Sequence, residues 1–350
     1  MFFFISKKKL SKKKKKKKRM KLSKINLKLL TSSKLGQVKE VTQLLTRKTI
    51  NPNCEDEFGR TPLCFACENG HHEIVKLLFN DQRVDINQAQ NDGSTPFLMA
   101  CVQGHTEVVK LFLNDERAEL NKANEYGTTG FLLSCQEKNI EVLKLLLNNE
   151  RIDCNQAMYS GETPLSMACE SNRFQIARRL LNSGRVDLNQ VNYDGQSVFW
   201  LVCSSYGGIE TMELLLNDQR VDVNKAETKR GTTPFMQACL LGRFQVVKYM
   251  LASRKEINVN AKDNNGKTAI EMTREKRKTE EDEVELFDFL FDEEDEVSTM
   301  ERRFLERDWM NTKKNLTNII KLLLAFEKNP DKTRKVLRKQ LALDGNRLFQ

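Results

Sequence analysis

Histidine is scarce in this chain, and the side-chain arrangements that most enzymes use are missing. Only three histidines occur among 350 residues, at positions 71, 72 and 105. The sequence has no Gly-rich phosphate-binding loop and no Ser/His/Asp or Cys/His set that stands apart from a repeated pattern. Acid–base and nucleophilic catalysis depend on such groups. We therefore expect a protein that is not an enzyme and that has no catalytic residues and no cofactor.

Long hydrophobic runs are also missing. The apolar stretch at the N-terminus, residues 1–5, is far too short for a membrane span or for the hydrophobic core of a secretion signal. Nine cysteines in a chain without an export signal are expected to be reduced thiols. These features predict an intracellular protein, cytoplasmic or nuclear, with no transmembrane segment.

Charge is distributed unevenly along the sequence. The formal net charge is +10, yet residues 1–28 contain fourteen Lys and Arg and no acidic residue. The remaining chain is therefore slightly acidic, and residues 280–296 alone hold eleven acids and no base. The net charge of the whole chain therefore does not describe the part of the sequence that follows residue 28.

A glycine returns at a nearly constant interval. The steps between successive copies are 34, 34, 34, 34, 36 and 35 residues. Self-similarity at this period predicts a stack of supersecondary units, none of which can bury its apolar face alone. The glycines are Gly59, Gly93, Gly127, Gly161, Gly195, Gly231 and Gly266.

Residues 58–91 illustrate one unit. A tight turn is followed by Thr61 and Pro62, which suit the N-cap and the first position of a helix. Gly70 ends this short helix, because glycine readily adopts the left-handed cap conformation. A second helix with apolar residues at helical spacing runs to Asn80, and an extended segment leads to the next turn.

The sequence pattern of this unit resembles the ankyrin repeat. The family pattern G-x-T-P-L-H-x-A-A-x-x-G-H-x-x-V-V-x-x-L-L-x-x-G-A-D-V-N is followed closely from Thr61 to Asn87. The resemblance covers roughly residues 25–292, with about eight units that include a degenerate first unit at 24–57 and a final unit from about 265. It implies an all-α repeat solenoid, an ankyrin-type stack of helix-turn-helix units with short extended or β-turn fingers, plus a C-terminal helical extension.

The sequence divides into three parts on this basis. We expect a disordered polylysine tail at 1–24, an ankyrin repeat array with degenerate capping units at 25–296, and a helical extension at 297–350. The acidic run at 280–296 is interpreted as the second helix of the closing repeat. A helix is predicted over 298–326, and Asp331 is a candidate N-cap for a basic helix that follows.

Cysteine repeats with the glycine and raises the question of a redox or metal role. Six cysteines occupy one slot, eight residues after each glycine, where the family has a small alanine that faces the neighbouring unit. Packing is the preferred interpretation, because Cys behaves as a small buried hydrophobe. The best metal-like cluster, Cys64 and Cys67 with His71 and His72, is interpreted in the same way, so no metal site is expected. The six are Cys67, Cys101, Cys135, Cys169, Cys203 and Cys239.

Two polar ladders follow the second helices. Arg83, Arg117, Arg151, Arg185 and Arg220 each precede an acid by two residues. Residues two apart in an extended segment point the same way, which predicts that each Arg pairs with an acid of the same or the adjacent unit, although a solvated edge is an equal alternative. Asparagines at 53, 87, 121, 155, 189, 224 and 260 are predicted to bind the backbone of neighbouring turns.

The lysine tail leaves several interpretations open. Residues Lys7–Lys24 could serve as a nuclear-import signal or could contact nucleic acid or an anionic surface weakly. An unselected low-complexity tract is the alternative without a function. An intramolecular contact between the tail and the acidic run at 280–296 is a further hypothesis.

The resemblance implies a non-catalytic scaffold that binds another protein through the concave face and the turn tips of a monomeric array. Recognition in this family lies at variable turn tips, and aromatic residues are favoured anchors. The alternative function is a nuclear factor that associates with nucleic acid or acidic partners through the tail. The candidate partner-binding residues are Phe58, Tyr126, Tyr159, Tyr193, Trp200, Leu240 and Leu241.

Overall fold

The structure is a computed structural model that describes residues 23–136, 139–205, 208–290 and 299–341. Within these ranges the chain forms helices joined by turns, with no strand and a single isolated bridge between Val191 and Ser197. The predicted all-α repeat solenoid is therefore confirmed. Nearly all of the predicted tail, and Lys138 in one inter-helix turn, lie outside the described residues.

The helices of the array follow one another in pairs. Each pair consists of a short first helix, a turn, a second helix and an extended segment. The pairs are α1 (Lys24–Lys34) and α2 (Val38–Leu45), α3 (Pro62–Glu68) and α4 (His72–Asn80), α5 (Pro96–Gln103) and α6 (Thr106–Leu113), α7 (Gly130–Gln136) and α8 (Ile140–Leu147), α9 (Pro164–Glu170) and α10 (Phe174–Asn182), α11 (Val198–Ser204) and α12 (Ile209–Asn217), and α13 (Pro234–Leu240) and α14 (Phe244–Ala252).

The first helices begin as the sequence predicts. In α3 the Thr61 hydroxyl accepts the backbone N–H of Cys64 at 3.1 Å, and Pro62 occupies the first helical position. Two of the units that lack this proline keep the cap, because Thr129 and Ser197 accept the equivalent N–H at 3.2 Å. An N-cap oxygen satisfies a backbone donor that the helix itself cannot pair. The cap, rather than the proline, is therefore common to these units.

The helices stack in register. First helices pack on first helices from α1 through α13, and most second helices also pack on one another, for example α4 between α2 and α6. The repeated cysteines lie in this packing: Cys67, Cys101 and Cys135 are at most 1% exposed. Small side chains are required there because neighbouring helices approach closely. The packing interpretation of the cysteine ladder agrees with this burial.

The cysteines should also be chemically unreactive. All nine are free and buried, and burial raises the pKa of the Cys169 thiol to about 12. Only the thiolate reacts with alkylating reagents. We expect iodoacetamide at pH 8 to modify fewer than about one thiol per folded chain within minutes, but all nine after denaturation. Intact-mass spectrometry reads this directly, and fast native labelling of Cys67 or Cys101 would contradict the packing role.

The closing unit differs from the prediction. A single helix, α15 (Ala269–Leu290), continues for 22 residues without an inter-helix turn. The separate second helix predicted for 280–296 is therefore wrong over 280–290, and residues 291–298 lie outside the described ranges. No glycine or proline interrupts 269–290, and the segment is rich in strong helix formers, so the helix has no signal to end.

The C-terminal extension docks on the last units. It forms α16 (Thr299–Lys328) and α17 (Pro330–Gln340), and α16 packs on α13, α14 and α15. Arg338 donates from Nε to the carbonyl of Ala252 at 2.9 Å, at the end of α14. The predicted N-cap Asp331 is wrong: Asn329 caps α17, because Pro330 takes the first helical position. Its buried apolar side chains are Leu316, Ile319, Ile320, Leu323, Phe326 and Leu337.

Candidate functional site

Seven turns precede the first helices in the described residues, and each is closed by the same backbone hydrogen bond. In the first, the N–H of Asp56 donates to the carbonyl of Arg60 at 3.1 Å, and Gly59 adopts φ +79°. Glycine is needed because L side chains rarely adopt a positive φ. We call these turns fingers 1 to 7; they comprise residues 56–60, 90–94, 124–128, 158–162, 192–196, 227–232 and 263–267.

Adjacent fingers are joined into a row by further backbone hydrogen bonds. The N–H of Asn91 donates to the carbonyl of Phe58 at 2.9 Å, and the N–H of Tyr159 donates to the carbonyl of Tyr126 at 3.2 Å. Equivalent bonds join finger 2 to finger 3, finger 5 to finger 6, and finger 6 to finger 7. Among the described residues no equivalent bond joins finger 4 to finger 5, so the backbone ladder consists of fingers 1 to 4 and fingers 5 to 7.

Four of the predicted partner-binding residues are exposed at finger tips. The exposed fraction is 56% for Phe58, 59% for Tyr126, 64% for Tyr159 and 74% for Tyr193. The three tyrosines lie on fingers 3, 4 and 5, which are consecutive. By contrast, Phe97, Phe112, Phe131, Phe199 and Phe235 are almost fully buried in the stack. Large aromatic groups left in solvent on neighbouring turns are unusual for a soluble surface.

Acidic neighbours surround two of these aromatic tips. A hydrogen bond to Glu125 and the nearby charge of Asp92 raise the pKa of the Tyr126 hydroxyl above its usual value. On finger 1 the Arg60 guanidinium lies 5.0 Å from the centre of the Phe58 ring and pairs with Asp56 at 2.8 Å. The finger tips therefore combine aromatic rings with carboxylates.

Three predicted residues do not belong to this exposed row. Trp200 is only 7% exposed, and its indole N–H donates to the carbonyl of Thr232 at 3.0 Å, so the prediction that it contacts a partner is wrong. Its slot is buried between units, where the family has histidine. Leu240 is half-buried against the core, and Leu241, although 40% exposed, follows the far end of α13. That end lies about 10 Å from the finger along the helix.

The arginine ladder lies just before the fingers, and three of its arginines pair with an acid two residues before them instead of the acid two residues after them. Arg83 pairs with Asp81, two residues before it, at 2.6 Å, whereas the expected partner Asp85 accepts the N–H of Asn87. Arg83 also donates to the carbonyl of Leu45 at 2.8 Å, the last residue of α2. A cation at the C-terminus of a helix satisfies free carbonyls and the helix dipole. The ladder thus ties each unit to the preceding one.

The asparagine ladder joins the same segments. The Asn155 side chain donates to the carbonyl of Arg185 at 3.0 Å and accepts the N–H of Asp187 at 2.7 Å. The predicted binding to neighbouring backbone is confirmed at this position and in five other units. The other five are Asn53, Asn87, Asn121, Asn189 and Asn224.

Substitution of Arg185 tests whether the ladder arginines hold adjacent units together. It donates to four carbonyls of the preceding unit, including those of Leu147 at 2.7 Å and Ile152 at 2.6 Å. We expect Arg185→Ala to lower the free energy of unfolding by about 2 kcal/mol, because charged hydrogen bonds are worth roughly 1.5–3 kcal/mol. Chemical denaturation measures this change.

Asp187, the exposed acid two residues after Arg185, supplies the control. Asp187→Ala should lower the free energy of unfolding by less than about 1 kcal/mol, since Asp187 accepts only the local N–H of Asn189. If both variants lost the same free energy of unfolding, and the double variant showed strong coupling between the two sites, the data would support an ion pair between Arg185 and Asp187.

The metal-like cluster is occupied by local contacts. Cys64 receives a hydrogen bond from the Thr61 hydroxyl, and the Nε2 atom of His71 lies 3.0 Å from the carbonyl of Lys34. Among the described residues, no group of three or more His, Cys, Asp and Glu side chains is arranged to hold a metal ion. His71 and His105 instead join each inter-helix turn to the preceding first helix.

Comparison with known families identifies the class of this chain. A family model for ankyrin repeats matches it three times, at residues 29–124, 111–192 and 199–280. These matches cover more than half of the sequence, and the chain belongs to the ankyrin repeat family. Ankyrin repeats generally mediate protein–protein interaction, and the family is generally non-catalytic. No curated protein matches the chain.

The length and hydrophobicity of a helix determine whether it could span a membrane. In the described part of the chain, no helix is both long enough and apolar enough to cross a bilayer.

Proposed function

We propose that this chain is a non-catalytic scaffold, monomeric and intracellular, that binds another protein through the tips of fingers 3 to 5. One observation carries the proposal: Tyr126, Tyr159 and Tyr193 are 59%, 64% and 74% exposed on three consecutive turns. Tyrosine offers a large rigid contact area at low entropic cost, together with a hydroxyl that can form hydrogen bonds. Such residues are enriched among those that dominate binding energy.

The spacing of these tyrosines suits an elongated partner segment. Packed helices are separated by 8–10 Å, so the three tips extend over roughly 20 Å. An extended peptide of about six residues has this length. The backbone bond between Tyr159 and the carbonyl of Tyr126 holds the first two tips before any partner arrives. Preorganisation of this kind reduces the entropic cost of binding.

Substitution of the three tyrosines tests the proposal. Affinity capture from native cell extract, followed by quantitative mass spectrometry, would compare the full chain with the variant Tyr126→Ala/Tyr159→Ala/Tyr193→Ala. We expect the specific partner to be reduced at least about tenfold, since interface aromatics commonly contribute 2 kcal/mol or more each. The melting temperature should hardly change, because the tyrosines are exposed.

A matched variant on the second helices provides the control. Glu73, Glu107 and Glu141 hold equivalent exposed positions in the first turns of α4, α6 and α8. Their triple alanine variant should capture the same proteins as the unmodified chain. Full capture by the tyrosine variant would refute the proposed binding surface.

A further inference from the structure

Negative charge is concentrated on the fingers that carry the exposed aromatic residues. Fingers 1 to 5 contain six acidic residues and one basic residue, Arg60, which is paired with Asp56. Finger 6 is different, since it contains Lys229 and Arg230 beside a single acid, and Lys229 pairs with Asp194 of finger 5 at 2.6 Å. The six acids are Asp56, Glu57, Asp92, Glu125, Glu162 and Asp194. We call residues 56–60, 90–94, 124–128, 158–162 and 192–196 together the acidic finger surface.

The described chain begins beside one end of this surface. Asn26, in the first turn of α1, accepts the N–H of Asn51 through Oδ1 at 3.4 Å. Its carbonyl accepts the thiol of Cys54 at 3.6 Å, and Cys54 lies two residues before finger 1. The first described helix therefore begins near the base of the first acidic finger.

The attached segment has the charge and the length to follow the acidic finger surface. Residues 7–19 contain eleven Lys and Arg and no acid. Thirteen residues can span at most about 45 Å. Five fingers separated by 8–10 Å extend over roughly 40 Å, so the basic segment and the acidic row are similar in length. Residues 20–22 connect the basic segment to Ser23, the first described residue.

We propose that the lysine-rich segment 7–19 binds the acidic finger surface of its own chain and competes there with the protein partner. This inference rests on the proposed function, because it assigns regulation to the same fingers. Ammonium groups would pair with Glu57, Glu125 and Glu162 and would lie against the faces of the exposed tyrosines, as cations do on aromatic rings. Each contact is weak, but tethering raises the local concentration to the millimolar range and makes many of them effective together.

Photocrosslinking in the full chain tests the proposal. Ser11→p-benzoyl-L-phenylalanine places a photoreactive group within the basic segment, and mass spectrometry maps the products after irradiation at low salt. We expect intramolecular products on fingers 1 to 5, and yields that fall steeply in 0.5 M salt as exposed charges are screened. In Glu57→Gln/Glu125→Gln/Glu162→Gln the finger products should fall about tenfold.

The control removes the same charge elsewhere. Glu73→Gln/Glu107→Gln/Glu141→Gln should leave the finger products unchanged, with the melting temperature of each variant confirming folding. Products on residues 280–296, products that join two chains, or no products at all would overturn the proposal. Because this readout needs no partner, failure here with partner capture still dependent on the tyrosines rejects only the tail. Finger products with tyrosine-independent capture reject the proposed function.

Discussion

Gly127→Ala is expected to lower the free energy of unfolding by about 3 kcal/mol and to disorder the junction between fingers 3 and 4. Gly127 has φ +79°, and an added Cβ would lie 2.5 Å from the backbone nitrogen of Tyr159. The positive φ costs an L residue about 1–2 kcal/mol. The backbone of the next finger must then move to remove the overlap, which adds roughly another 1–3 kcal/mol.

Gly266→Ala separates these two costs. Gly266 holds the equivalent position in finger 7 at φ +77°, but no atom of the described residues lies within 4 Å of an added Cβ, because finger 7 is the last of the described fingers. Only the conformational cost of about 1–2 kcal/mol should remain. Urea denaturation of both variants measures the difference. Equal losses would mean that fingers are not held against one another.

Phe112→Ala is expected to lower the free energy of unfolding by about 4 kcal/mol, as other large-to-small changes in buried cores do. The Phe112 ring is fully buried in α6. It meets Phe79 of the preceding unit edge-on at 4.9 Å and Phe97 of its own first helix at 5.5 Å. Its loss leaves a cavity that is shared by two units. Hydrogen exchange should therefore increase most in residues 58–125.

Phe244→Ala is the matched control. Phe244 begins α14, is only half-buried, and has the Lys248 ammonium 5.6 Å from its ring centre. We expect a loss of about 1 kcal/mol, in proportion to the smaller apolar area that it buries. Because units in a solenoid are stabilised by their neighbours, both losses should be local at first. A uniform rise in exchange along the whole chain for Phe112→Ala would contradict nearest-neighbour coupling.

The repeating features of the fold were predictable from sequence because the same residues recur with the same physical role. A glycine at positive φ, a Thr or Ser cap and a small cysteine between helices each appear in several units, so chance agreement is excluded. The exposure of Tyr126, Tyr159 and Tyr193 followed from their place beside the turn glycine. A residue at the tip of a tight turn has few neighbours to cover it.

Features that depend on contacts between distant residues were not predictable. Trp200 is buried because its slot faces the next unit, and the carbonyl of Thr232 accepts its indole N–H. Arg83 donates to the carbonyl of Leu45 at the end of α2, and this contact with the preceding unit depends on how the two units stack. The acidic finger surface had a visible signal, since comparing charge at the finger positions across units reveals it. The concentration of negative charge is not apparent when each unit is considered alone.

Side-chain footprinting of the captured complex tests the central claim most directly. Hydroxyl radicals label exposed tyrosines, and mass spectrometry gives the rate at each residue in the free chain and in the complex. The proposed binding surface predicts that Tyr126, Tyr159 and Tyr193 are protected several-fold by the partner, while Phe244 near the other end of the array keeps its rate. Unchanged labelling of all three tyrosines in a saturated complex would show that the partner binds elsewhere.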